Sequence, residues 1–162
     1  MSASRTRLGA FCAGLAVVAG TVAGCTSGPA QQRVPYVKEG VTASAVAEHL
    51  HVALPATATD ARAARQVAHR DDSLLLSFVL PTGEVDAFVT QLQSENPVRT
   101  GSPIGTAERA FAPLGLPEPA TVPGVRGAQL CAPCMKRDLD FLDLAVAPLD
   151  EKSSRVYLRA VD

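Results

Sequence analysis

Two stretches of the chain have the apolar spacing of an amphipathic helix, with apolar residues at positions i, i+3, i+4 and i+7. The apolar positions are Ala43, Val46, Ala47 and Leu50 in the first stretch, and Val85, Phe88, Val89 and Leu92 in the second. Thr42 and Thr82 stand just before them, where N-cap residues are found. The pattern predicts a short helix from residue 43 that stops at Leu54-Pro55, and a second helix over residues 83–94.

The first predicted hairpin occupies residues 60–80. Residues 73–80 are a nearly continuous apolar run, which is typical of a buried strand. Residues 60–70 are rich in alanine and arginine and would also suit a helix, but they lead into that strand across Asp71-Asp72. We therefore predict an antiparallel hairpin with its turn at these two aspartates.

The second predicted hairpin lies near the C-terminus. Apolar and polar residues alternate over residues 139–146 and again over 156–161, and the extra leucine at position 142 suggests a β-bulge. The turn falls within residues 148–154. The same alternation predicts a solvated sheet face for the carboxylates of Asp138, Asp140 and Asp143.

Residues 97–127 separate the two hairpins and contain six prolines and five glycines. This composition predicts a long loop with little regular structure. Taken in order, the elements predict an α+β fold: a small antiparallel sheet of about four strands in two hairpins, covered by one or two helices, with a long Pro/Gly-rich loop.

The N-terminal residues have the layout of an export signal. Arg5 and Arg7 precede an uncharged, largely apolar stretch over residues 8–23. This stretch is shorter than the roughly 20 apolar residues that a helix needs to span a bilayer. A transported and cleaved signal is therefore favoured over a permanent transmembrane helix.

The signal ends in Val22-Ala23-Gly24-Cys25, which resembles the lipobox of bacterial lipoprotein precursors. The resemblance implies that residues 1–24 are removed and that Cys25 receives a diacylglyceryl group. The protein would then be held on the extracytoplasmic face of the cell membrane by its lipid. An ordinary signal-peptidase cut near Ala23 is the alternative.

Residues 25–40 begin with small and polar side chains and are expected to form a flexible tether, leaving residues 41–162 as a single globular domain of ordinary size. Without the signal, the chain has thirteen basic residues against sixteen acidic ones, a formal net charge of −3. A nucleic-acid partner is disfavoured because such proteins carry a basic excess. The expected partners are the membrane, through the lipid anchor, and an unknown envelope protein or small ligand.

A second cysteine motif reads Cys131-Ala-Pro-Cys134. It looks like the redox pair of the thioredoxin family, but the 28 residues that follow Cys134 are too few for the rest of that fold. Export leads to a compartment in which disulfides persist. A local disulfide between Cys131 and Cys134 is therefore favoured over a redox catalyst, a metal site or two free thiols.

No catalytic or metal-binding motif accompanies these cysteines. The chain has no Gly-x-Ser-x-Gly, no phosphate-binding glycine loop and no His-Glu-x-x-His. A zinc site needs four ligands, which the spacing of His49, His51 and His69 does not supply. We expect no cofactor, no metal and no catalytic residue, and hence a non-catalytic envelope lipoprotein with a binding or structural role. The alternative is a thiol-redox or metal-dependent protein that uses Cys131 and Cys134.

Overall fold

The computed structural model describes residues 35–105 and 109–162. The predicted signal and the first ten residues of the predicted tether, Cys25 among them, lie outside these ranges. Within the ranges, no helix combines the length and the apolar character needed to cross a bilayer.

The described residues form one antiparallel sheet of seven strands. In chain order the strands are β1 (Tyr36–Val37), β2 (Thr59–Val67), β3 (Ser73–Pro81), β4 (Arg99–Thr100), β5 (Arg126–Cys131), β6 (Phe141–Pro148) and β7 (Ser153–Val161). Their order across the sheet is β1-β2-β3-β7-β6-β5-β4. The predicted hairpins are confirmed as β2–β3 and β6–β7, and the pairing of β3 with β7 joins them into one sheet. The turn of the first hairpin is centred on His69-Arg70 and not on Asp71-Asp72, because Gln66 pairs with Ser73.

The expected sheet of about four strands covered by helices is wrong. Strand β4 lies inside the segment predicted as a loop, and β5 begins at the end of that segment. Strand β1 lies within the segment predicted as tether. β1 and β4 have two residues each, too few for any period to show. β5 has the sequence Arg-Gly-Ala-Gln-Leu-Cys, which lacks the β-branched and aromatic residues typical of strands, and it depends on its pairing with β6.

Two helices of seven residues, α1 (Ala43–His49) and α2 (Val85–Gln91), pack on one face of the sheet. The predicted cap of α1 is confirmed, because Thr42 Oγ1 accepts a hydrogen bond from the Ala45 N–H at 3.2 Å. The predicted cap of α2 is wrong: a 3₁₀ turn over Thr82–Glu84 precedes that helix, and no side chain caps it. The Thr82 hydroxyl lies instead 3.3 Å from the hydroxyl of Ser154.

The helix-bearing face carries the larger core. Alternate residues of the central strands, such as Leu76, Leu144 and Leu158, point to this face and are fully buried there. The ring of Phe78 on β3 meets that of Phe88 on α2 edge to face, with centroids 5.3 Å apart. Burial of these apolar side chains is the main force that holds the helices on the sheet.

The other face of the sheet is covered by the described part of residues 101–125. Ile104, Phe111 and Leu114 pack there against the opposite set of strand residues. The rings of Phe111 and Tyr157 meet edge to face with centroids 4.9 Å apart. The Pro/Gly-rich segment is therefore a packed layer, and the sheet is buried on both faces.

Two expectations for β6 are wrong, the first because of this second layer and the second because of the strand register. Asp143 is not on a solvated face: it is 5% exposed and lies opposite Gln129 and Arg159 in the register. Leu142 is not a bulge, because β6 pairs regularly with β7 and the irregularity lies in β5, between Gln129 and Cys131. Asp138 and Asp140 are exposed, but they precede β6.

Candidate functional site

A cleft of about 720 Å³ opens at one end of the sheet. The end of α1, the turn between β2 and β3, the loop between β5 and β6 and the residue after β7 meet there. Antiparallel pairing brings them together, because Val161 on β7 pairs with Ser73 on one side and with Phe141 on the other. The volume is in the range of small-ligand pockets.

Three aspartates form a row across this end of the sheet. Asp72 and Asp162 exchange two backbone hydrogen bonds of 3.1 Å, and the Asp140 N–H donates to the Val161 carbonyl at 2.8 Å. The residues two positions away within the adjoining strands belong to the core under the helices; they are Leu74, Leu142 and Ala160. Because side chains alternate between faces with a period of two, the three carboxylates lie on the helix-bearing face.

Like charges opposite each other on neighbouring strands repel. Side chains of β2 and α1 offset part of this repulsion. Arg65 Nε lies 2.7 Å from Asp72 Oδ2, and Arg65 Nη2 lies 3.6 Å from Asp162 Oδ2. His49 Nε2 lies 3.0 Å from the same Asp162 oxygen. Among the described residues no cation pairs with Asp140, so no described ion pair offsets the β6 end of the row.

Other polar groups of the cleft also lack an ion-pair partner within the described ranges. Asp138 stands beside Asp140 on the β6 side, and Arg70 stands on the turn between β2 and β3. Between them, Asp162 Oδ1 is buried and receives no hydrogen bond from any described residue. The cleft thus presents carboxylates on one side and a guanidinium on the other, and a buried acceptor without a donor lies between them.

One wall of the cleft is the segment from residue 131 to residue 139, which we call the disulfide loop. The structure joins Cys131, the last residue of β5, to Cys134 through a disulfide bond. Both cysteines are buried, with exposures of 8% and 2%. The Cys134 N–H donates to the Leu139 carbonyl at 2.8 Å, which closes the loop into a tight turn. Met135 projects from it and is 83% exposed.

Arg137 ties the disulfide loop to both helices. Its Nη1 donates to the carbonyl of Leu50, and its Nη2 donates to the carbonyl of Leu92, each at 3.0 Å. These residues are the C-caps of α1 and α2, where carbonyls lack donors from their own helix and carry partial negative charge. Burial lowers the pKa of Arg137, yet a guanidinium stays charged at neutral pH.

The structure places the predicted site residues in different surroundings. Cys25 lies outside the described residues, whereas Cys131 and Cys134 lie together in the disulfide loop. His49 and His51 both line the cleft, and His69 is exposed on the turn between β2 and β3. No cluster of three or more potential metal ligands occurs in residues 35–105 and 109–162.

Sequence reasoning missed the roles of Arg137, Asp162 and Arg70. No local signal could have found them, because the partners of Arg137 are 87 and 45 residues away in the chain. The row of aspartates likewise depends on the pairing of three strands. Comparison with known proteins finds no matching family model, no similar curated protein and no similar solved structure.

Proposed function

We propose that the protein is an exported lipoprotein, anchored in the cell membrane through Cys25, whose domain is a non-catalytic binding module. The observation that carries the binding role is the cleft at the end of the sheet, where charged side chains of both signs surround a volume of about 720 Å³. Polar groups that converge on a pocket fix the orientation of a ligand and provide its specificity, and several of those in this cleft have no partner among the described residues.

Burial of the disulfide favours this role over thiol-redox catalysis. Disulfide exchange requires a thiolate to reach one of the two sulfurs, and Cys131 and Cys134 are almost fully buried. Arg137 also holds the loop against the ends of both helices. These features suit a disulfide that shapes the wall of a cleft.

The position of the first described residues connects the anchor with the cleft. Tyr36 pairs with Val67, the last residue of β2, and the turn that follows Val67 carries Arg70. The chain therefore enters the sheet at the cleft end. Pro35 stands ten positions after Cys25, a span of at most about 35 Å, so the proposed lipid would keep the cleft close to the membrane surface.

The anchor is tested by labelling cells with a radioactive fatty acid. The wild-type protein is expected to take up label and to sediment with membranes, and Cys25→Ser is expected to lose both properties. Labelling of the Cys25→Ser variant would contradict the proposed anchor.

The binding role is tested by placing a photoreactive amino acid at Met135, beside the cleft, and at Leu149 as the matched control. Both side chains are large, apolar and exposed, but Leu149 lies in the turn between β6 and β7, at the other end of the sheet. An adduct of defined mass is expected from position 135 alone after irradiation of intact cells. Identical products from the two positions, or none from position 135, would refute a binding role for the cleft.

A further inference from the structure

We infer that the cleft binds a short zwitterionic ligand with an ammonium group at one end and a carboxylate at the other, the chemistry of an unblocked peptide of about three residues. This inference rests on the proposed binding role and names the ligand class. It follows from where the protein leaves charges without partners among the described residues, and from the spacing of the strands beside which those charges stand.

The two ends of the cleft differ in sign. Asp138 and Asp140, on the β6 side, have no cationic partner among the described residues and would receive an ammonium group. Arg70, on the turn before β3, has no carboxylate partner there and would receive a carboxylate, which a guanidinium binds through paired hydrogen bonds. Arg65 and Arg137 are already engaged with Asp72 and with the helix ends, so neither competes for the ligand.

The spacing of the strands sets the length of the ligand. Strand β7 lies between β3 and β6, and neighbouring strands are roughly 4.8 Å apart. The backbones of β3 and β6 are therefore about 10 Å apart at the cleft, and a ligand that crosses from the β6 side to the β3 side covers about that distance. An extended peptide spans about 3.3–3.6 Å per residue, so about three residues reach from one end to the other.

Asp162 supplies a third point of recognition midway between the ends. Its Oδ2 is engaged by His49, but its Oδ1 is buried and has no donor among the described residues. A buried acceptor without a donor is costly. A backbone N–H from the middle of a bound peptide would satisfy it once the Asp162 carboxylate rotates to turn this oxygen toward the cleft.

Other ligand classes fit the lining less well. A sugar site is usually built on a platform of Trp, Tyr or Phe, and none of these side chains lines the cleft. A simple anion would meet four aspartates, namely Asp72, Asp138, Asp140 and Asp162. An amine without a carboxylate would leave Arg70 unpaired.

The test is calorimetric titration of the full mature lipoprotein in detergent with tri-alanine. The matched probes are N-acetyl-tri-alanine, tri-alanine amide, the doubly blocked peptide and free alanine. Tri-alanine is expected to bind, each single block is expected to weaken binding about tenfold, and the doubly blocked peptide and alanine are expected to bind weakest.

Variants assign each end of the ligand. Arg70→Gln is expected to remove the preference for a free carboxylate and to keep the preference for a free amine. Asp138→Asn combined with Asp140→Asn is expected to do the reverse. Glu151→Gln, an exposed substitution at the other end of the sheet, is the control and should leave all affinities unchanged. Circular dichroism checks that each variant is folded.

Two results would overturn the inference: binding of the doubly blocked peptide as tightly as tri-alanine, or no binding of tri-alanine at concentrations of about 10 mM. If either occurs while the photoreactive group at position 135 still gives an adduct, the ligand class is wrong and the binding role stands. Loss of that adduct as well would remove both.

Discussion

The Nη1 atom of Arg137 lies 3.0 Å from the carbonyl oxygen of Leu50, a residue 87 positions earlier in the chain. With its second bond to Leu92, this guanidinium closes the C-terminal ends of α1 and α2 from outside. In each helix, the residue after the C-cap adopts a left-handed conformation, at His51 and Gln93, which ends the helix and turns the chain away. One side chain therefore couples the helix layer to the cleft wall.

Replacement of Arg137 by glutamine should lower the free energy of unfolding by roughly 2–3 kcal/mol, because two partly buried, charge-assisted hydrogen bonds are lost. Urea unfolding followed by circular dichroism measures the change. The control is the exposed neighbour Lys136, where glutamine should have almost no effect. Equal losses of unfolding free energy in the two variants would mean that the hydrogen bonds from Arg137 to the helix ends do not contribute to stability.

Removal of the disulfide by Cys131→Ala with Cys134→Ala should reduce stability by about 2 kcal/mol and leave the domain folded. The closed loop is only four residues long, so the unfolded chain gains little freedom when the bond is absent. Adding dithiothreitol to the wild-type protein in the same urea titration should give a shift of similar size. Complete unfolding of the double variant would show that the bond matters far more than loop entropy predicts.

Asp60 should make stability sensitive to acid. Its carboxylate accepts hydrogen bonds from Arg62, at 2.8 and 3.1 Å, and from Arg155, at 2.6 Å. These bonds lower the pKa of Asp60 below its ordinary value of 3.8. A group with a lowered pKa in the folded state stabilises the protein above pH 3.8, and this contribution is lost as the pH falls through the folded-state pKa.

Asp60→Asn should therefore flatten the fall in stability below about pH 4. At pH 7 it should cost about 1–2 kcal/mol, because Arg155 is buried and loses its charged partner. Asparagine suits the positive φ of 45° at this position, which keeps backbone strain out of the comparison. Asp86→Asn, at an exposed ion pair with Arg126, is the control and should cost less than about 1 kcal/mol. A pH profile of Asp60→Asn parallel to that of the wild-type protein would contradict the assignment.

Gly127 should tolerate no side chain. A Cβ at this position would lie 2.4 Å from the carbonyl oxygen of Leu144 and 2.7 Å from Cδ of Pro103. Gly127→Ala should therefore push β5 from β6, or the covering layer from the sheet, and cost about 1–3 kcal/mol. Gly83→Ala is the matched control, because nothing lies within 4 Å of its Cβ position. Thermal unfolding of the two variants compares them. Equal melting temperatures would show that Leu144 and Pro103 move away from the new methyl group at no cost in stability.

The elements that could be predicted from the sequence are those whose residues carry a period of their own. The spacing of Ala43 to Leu50 and of Val85 to Leu92 located both helices, and the apolar pattern located β3, β6 and β7. Strand β2 was predicted only because its residues lead across Asp71-Asp72 into β3. The four-stranded sheet was wrong because β5 and the two-residue strands obtain their stability from partners and not from local pattern. Asp143 was misplaced for a related reason, since its surroundings depend on the layer that covers the second face.

The candidate site was the least predictable part. Cys131 and Cys134 were singled out because they stand three positions apart, and a local spacing can be seen in a sequence. Asp72, Asp140 and Asp162 form a row only because three strands pair, and Arg137 finds its acceptors only because two helices end beside it.

The sequence by itself determined the positions of both helices and both hairpins, because hydrophobic periodicity is a local property that each segment carries alone. It also carried the pattern that predicts export and lipidation at Cys25. Only the tertiary structure decided that seven strands form one sheet, that a Pro/Gly-rich segment covers its second face, and that charged groups from four distant parts of the chain meet in a cleft. These features arise from contacts between residues far apart in the chain. Which side chains are buried and which charges are paired is settled only when the folded chain brings those residues together.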